Sequence, residues 1–79
     1  MQPNPSQTQT TLLLQNTTKF KNIELEIFNT AGEKQYGQKI ISGTTEVNID
    51  ISYWPQGIYF VIIRSQGKIL GNAKLNVQR

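Results

Sequence analysis

The chain has 79 residues, 37% of them apolar, with 8 basic and 5 acidic side chains and a formal charge of +3. That length fits one domain with a thin core, because a domain this small buries only about 60% of its unfolded surface. There is no Cys and no His, which excludes disulfide staples, thiol nucleophiles, thiolate zinc sites and the Ser-His-Asp arrangement.

Taken in chain order, the sequence reads as strand, turn, strand. Pro3 and Pro5 fix φ and push Asn4 toward extended backbone, a stiff entry to the first strand. Thr10 to Gln15 is a weak strand with Leu12 and Leu14 on its inner face. Ile23, Leu25 and Ile27 alternate with Glu24 and Glu26, so one face is apolar and the other charged. Asn29-Thr30-Ala31-Gly32 carries Asn first and Gly last, the signature of a type I turn ending in a left-handed residue. Lys34 to Ile41 reads as an irregular edge strand interrupted by Gly37.

Val47, Ile49 and Ile51 alternate with Asn48 and Asp50. Trp54-Pro55-Gln56-Gly57, with Pro second and Gly fourth, predicts another type I turn. Ile58 to Ile63 is apolar on both faces, β-branched and aromatic, which predicts a central strand. Ser65-Gln66-Gly67 joins it to a last strand in which Ala73, Leu75 and Val77 face inward. Gly32, Gly57 and Gly67 fall where positive φ is expected. No window shows helical periodicity. The fold class is all-β: a small immunoglobulin-like β-sandwich of about seven antiparallel strands, in a single domain over 1–79.

Little chemistry accompanies this pattern. The basic residues are scattered, with only Lys19 and Lys21 close together, so they read as a solvated surface; no nucleic acid is expected as a partner. The longest apolar run, Ile58 to Ile63, is too short for a transmembrane segment. No signal peptide is present, and Met1 opens a sequence with the character of a larger protein's interior, so targeting signals are expected upstream. Glu24 and Glu26 share a strand face about 6.5–7 Å apart, a spacing open to paired-carboxylate chemistry but better read as a solvated face. Asp50 stands without a cluster of hard oxygen ligands, and no glycine-rich phosphate loop leads into a helix. No metal, cofactor or catalytic residue is expected, and the chain does not read as an enzyme. Tyr53, Trp54 and Tyr59 could stack on a sugar, although aromatics beside a Pro turn more often close the end of a small core.

Four elements in order then resemble the C-terminal sorting domain of the type IX secretion system (type A, Por secretion system). They are Pro3-Asn4-Pro5; the hairpin Ile27-Phe28-Asn29-Thr30-Ala31-Gly32-Glu33; Val47 to Ser52 leading through Trp54-Pro55-Gln56-Gly57 into Ile58-Tyr59-Phe60-Val61; and Lys74 in the last strand before a short apolar end. Trp54 departs from the aliphatic residue usual at its position. The resemblance implies a non-catalytic secretion signal on the C-terminal side of a cargo domain. The cargo would pass the periplasm and finish at the outer-membrane surface or outside the cell. The implied partners are the outer-membrane translocon, shuttle proteins and a surface sortase that removes the domain by a cut upstream of it. Recognition is expected to use the motif positions Pro3, Asn4, Pro5, Gly32, Gly57, Tyr59 and Lys74 and the chain end Val77, Gln78 and Arg79. In this reading Gly32 and Gly57 permit turns, and Tyr59 buries its ring while its hydroxyl seeks a backbone partner. The alternative is an immunoglobulin-like carbohydrate-binding or adhesion module using Trp54 and Tyr53; a plain spacer domain is a further one.

Overall fold

Period-two alternation gives each strand one apolar face, and two such faces must meet to leave water. The computed structural model, which describes residues 8–78, shows that meeting. Among the described residues are six strands: β1 (Gln9–Leu13), β2 (Ile23–Phe28), β3 (Lys34–Ile40), β4 (Glu46–Asp50), β5 (Gly57–Ser65) and β6 (Lys68–Val77). Every strand candidate of the sequence is among them. β1 pairs with β4 in one sheet, and the order β3-β2-β5-β6 makes the other. All pairings are antiparallel. This is an immunoglobulin-like arrangement, in which β1 and β4 take the places of strands B and E, and β3, β2, β5 and β6 those of C′, C, F and G.

The core lies between the sheets. Ile23, Leu25 and Ile27 from β2 meet Val47 and Ile49 from β4, with Ile51, Tyr59, Val61 and Val77 completing the layer. Two buried hydroxyls tie down the connections. Thr17 Oγ1 donates to the Thr44 carbonyl at 2.8 Å and accepts from the Gly43 amide at 3.1 Å. Ser65 Oγ donates to the Lys21 carbonyl at 2.6 Å. Both groups are satisfied, as burial requires.

Three turns differ in what they ask of the chain. At Asn29–Gly32 the Gly32 amide donates to the Asn29 carbonyl at 3.0 Å, and Gly32 has φ +84°, as the sequence leads one to expect. Gln66 and Gly67 form a two-residue hairpin with φ +50° and +85°, the positive pair that a type I′ turn needs. The turn expected at Trp54–Gly57 is displaced. The Trp54 amide donates to the Ile51 carbonyl at 3.1 Å, so the hydrogen-bonded turn is Ile51–Trp54 and bends continue to Gln56. Pro55 does not itself bar the expected turn, whose donor is the Gly57 amide; the chain instead uses that stretch to bring Trp54 into the core.

Gly37 does not interrupt β3. It stays in register opposite Glu26, and the irregularity falls at Ile27/Phe28 instead. A side chain at Gly37 would stand 2.7 Å from Lys34 Cε, so the glycine leaves room for Lys34 to lie across the strand.

Leu25 is fully buried at the centre of this core. Replacing it with Ala should cost about 3 kcal/mol, the transfer term plus the cavity left behind. Urea titration measures this, and a loss below about 1 kcal/mol would contradict the packing described.

Candidate functional site

The motif residues do not gather into one pocket; they are distributed along the fold, and most of them hold it. Asn29 shows how. Its Oδ1 accepts from the Ala31 amide at 3.0 Å and the Glu33 amide at 2.9 Å, and its Nδ2 donates to Glu33 Oε1 at 3.0 Å. The side chain therefore folds the β2–β3 turn around itself, leaving Gly32 to supply the left-handed residue. Nothing lies within 4 Å of where a Cβ on Gly32 or Gly57 would stand. Those glycines answer to backbone angle, φ +84° and +153°, and not to crowding.

Tyr59 and Trp54 form a corner at the start of β5. The Tyr59 ring is buried, and its hydroxyl donates to the Pro55 carbonyl at 2.6 Å. A tyrosine near the start of strand F bonding to backbone a few residues upstream is a recurring immunoglobulin corner. Trp54 packs against Tyr59 with ring centroids 5.2 Å apart and against Tyr36 at 6.1 Å. The three candidate sugar-stacking rings therefore do not share an exposed platform: Tyr53 is 95% exposed, while Trp54 is 9% and Tyr59 3%.

The chain end runs along an outer edge. Among the described residues β6 is the last strand of its sheet and pairs only with β5. Along it Lys74 and Gln78 are exposed, Leu75 is half-buried and Val77 is fully buried. Val77 thus anchors the terminal strand, while Lys74 points to solvent opposite Phe60. Pro3, Asn4, Pro5 and Arg79 lie outside the described residues.

Glu24 and Glu26 do share the outer face of β2, but in different surroundings. Glu26 accepts from Arg64 Nε at 2.6 Å, and Lys34 Nζ is 3.3 Å from its other oxygen. The Arg64 bond, helped by Lys34 and opposed by partial desolvation, holds the Glu26 carboxyl below its ordinary range. A carboxylate fixed in its ionised form cannot serve as the proton donor of a pair. The sequence does not announce this cluster, because Lys34 and Arg64 reach Glu26 only through strand pairing. Asp50 is likewise occupied: its Oδ1 accepts from the Ser52 amide at 2.9 Å and the Ser52 hydroxyl at 2.6 Å. Those bonds hold its pKa low. Among the described residues no three His, Cys, Asp or Glu side chains gather as a metal site, and no helix is long and apolar enough to cross a membrane.

A cavity of about 730 Å³ opens between β1 and the inner face of β5 and β6. Two strands cannot cover four, and the small residues Gly71 and Ala73 leave the gap. Its walls include Leu12, Leu14, Phe20 and Ile63 and carry no acid or base among the described residues, so nothing there can drive proton transfer.

The chain matches, over residues 1–78, the family described as secretion system C-terminal sorting domain. No curated protein and no solved structure matches it.

The lowered pKa of Glu26 has a definite sign in stability. Its charged form contributes above the unfolded-state pKa near 4.5, and the contribution is lost as pH falls through the lower folded value. Glu26→Gln should therefore flatten the acid side of the stability–pH curve. Thermal melts from neutral pH down through that window test this, and parallel curves for both proteins would contradict it.

Proposed function

The chain belongs to the secretion system C-terminal sorting domain family, and we propose that it acts as a folded, non-catalytic address label on the C-terminal side of a cargo protein. Membership makes it a sorting signal for type IX secretion, engaged by that system's machinery and directing export across the outer membrane to the cell surface or beyond. In the proposed course of events the cargo reaches the periplasm, the outer-membrane translocon and its shuttle proteins receive the folded domain, and a surface sortase then removes it.

The observation that carries the reading is the family match over 1–78. The free edge of β6 supports a mechanism for it. β6 has ten residues and, among the described residues, pairs on one side only, so there its other side offers unpaired backbone donors and acceptors. Recognition proceeds by β-augmentation: a strand of the receptor adds to this edge, and side chains such as Lys74 and Gln78 are read beside it. Gly32, Gly57 and Tyr59 contribute by holding the domain in shape.

A periplasm-targeted fluorescent protein carrying this domain at its C-terminus tests the reading in a bacterium with a type IX system. The fluorescence should reach the surface or medium and remain periplasmic in a translocon-deficient strain. Deleting Gln78 and Arg79 should abolish export while leaving the domain folded. Periplasmic retention of the intact, folded fusion in the wild-type strain would overturn the proposal.

A further inference from the structure

The outer face of the four-stranded sheet leaves apolar side chains uncovered. Ile58, Phe60 and Ile62 alternate along β5 on the side away from the core; Ile58 and Phe60 are each 39% exposed. Phe28 on β2 stands directly opposite Phe60. The register carries the row on to both edges, with Lys34 of β3 opposite Phe28 and Lys74 of β6 opposite Phe60. One line across the sheet therefore reads Lys34, Phe28, Phe60, Lys74. Lys74 has no ion pair with a carboxylate among the described residues, and Lys34, though 3.3 Å from Glu26, is 53% exposed.

We propose that this face docks an amphipathic helix whose apolar stripe is bordered on both sides by carboxylates. Three strand spacings put the two lysines about 14 Å apart at their Cα atoms. A helix about 10–12 Å across fits between them, lays its apolar stripe on Phe28 and the Ile58–Phe60–Ile62 row, and turns its two acidic flanks to Lys34 and Lys74. The β5 row is about 13 Å long, enough for more than two helical turns. The spacing selects this occupant over an anionic bilayer. The face is basic throughout, since Lys39 and Arg64 stand directly opposite Glu24, but its apolar strip is one helix wide with a lysine on each border, which a rod-shaped partner fills and a flat bilayer does not. The surface is the broad face of the sheet, apart from the β6 edge proposed above. It is measurable on the purified chain without any secretion machinery, so it stands or falls independently of the export reading.

The test is fluorescence anisotropy with the full chain and a labelled amphipathic helical peptide of about 18 residues, long enough to hold helix in water, with leucines flanked on both sides by glutamates. A control peptide carries lysines in place of the glutamates, and vesicles containing phosphatidylglycerol give the membrane arm. The glutamate peptide should bind about tenfold or more tightly than the lysine peptide. The gap should narrow as salt is raised. Phe60→Ser and Lys74→Glu should each weaken binding about tenfold. Lys74 is exposed, so Lys74→Glu keeps the test valid if Phe60→Ser does not fold. Equal binding of the two peptides, undiminished binding by Lys74→Glu, or uptake by the vesicles in place of the glutamate peptide would overturn the proposal.

Discussion

The structure depends on the placement of β5. It is the one strand paired on both sides within the four-stranded sheet that also leads directly to the terminal strand. Its start is fixed by the Tyr59 hydroxyl on the Pro55 carbonyl and by the Trp54 ring packed at a tilt against Tyr59. Its end is closed by the Gln66–Gly67 hairpin, and a one-residue shift at Ile63/Arg64 then sets the register of the rest of β6. With β5 held, β2 and β6 align on either side. The inner residues Tyr59 and Val61 are buried, and the outer residues Ile58 and Phe60 are left in view. One strand therefore decides both what the core contains and what the surface presents.

The motif residues divide along the same line. Asn29, Gly32, Gly57 and Tyr59 are occupied in turns and in the corner, so their chemistry is spent on shape. Val77 is fully buried and pins the last strand to the core. Among the described residues the side of β6 away from β5 is left unpaired, with Lys74 and Gln78 beside it. Under the proposed β-augmentation that edge is already extended, so a partner strand need not order a loose tail before pairing with it.

Much of the fold was legible in the sequence because two-sided strands have a short period. The alternation of Ile23, Leu25 and Ile27 with glutamates, and of Val47 and Ile49 with Asn48 and Asp50, is enough to assign an inner and an outer face. The apolar run Ile58 to Ile63 identified the central strand. The bent stretch before β5 was less legible, because Pro55 and Gly57 signal a turn without saying which residues bond across it. Tertiary demand decided that the bond closes at Ile51–Trp54 and that Trp54 covers the core. The Glu26–Arg64–Lys34 cluster and the Lys34–Phe28–Phe60–Lys74 row were invisible, since the first exists only once two strand registers are known and the second once three are. Sorting function was legible through order and spacing of the motifs and not through any reactive group, in a chain that has neither His nor Cys.

On this reading the signal is the folded domain and not merely the sequence of its terminal strand. Comparing export of a reporter carrying the native domain with one carrying Ile49→Asp separates the two. Ile49 is buried on β4, in the sheet opposite β6. The substitution buries a charge without changing the terminal strand's sequence. Circular dichroism on the same fusions gives the folded fraction. Export should fall in step with that fraction. Undiminished export of an unfolded Ile49→Asp domain would contradict the reading and leave the terminal sequence alone as the signal.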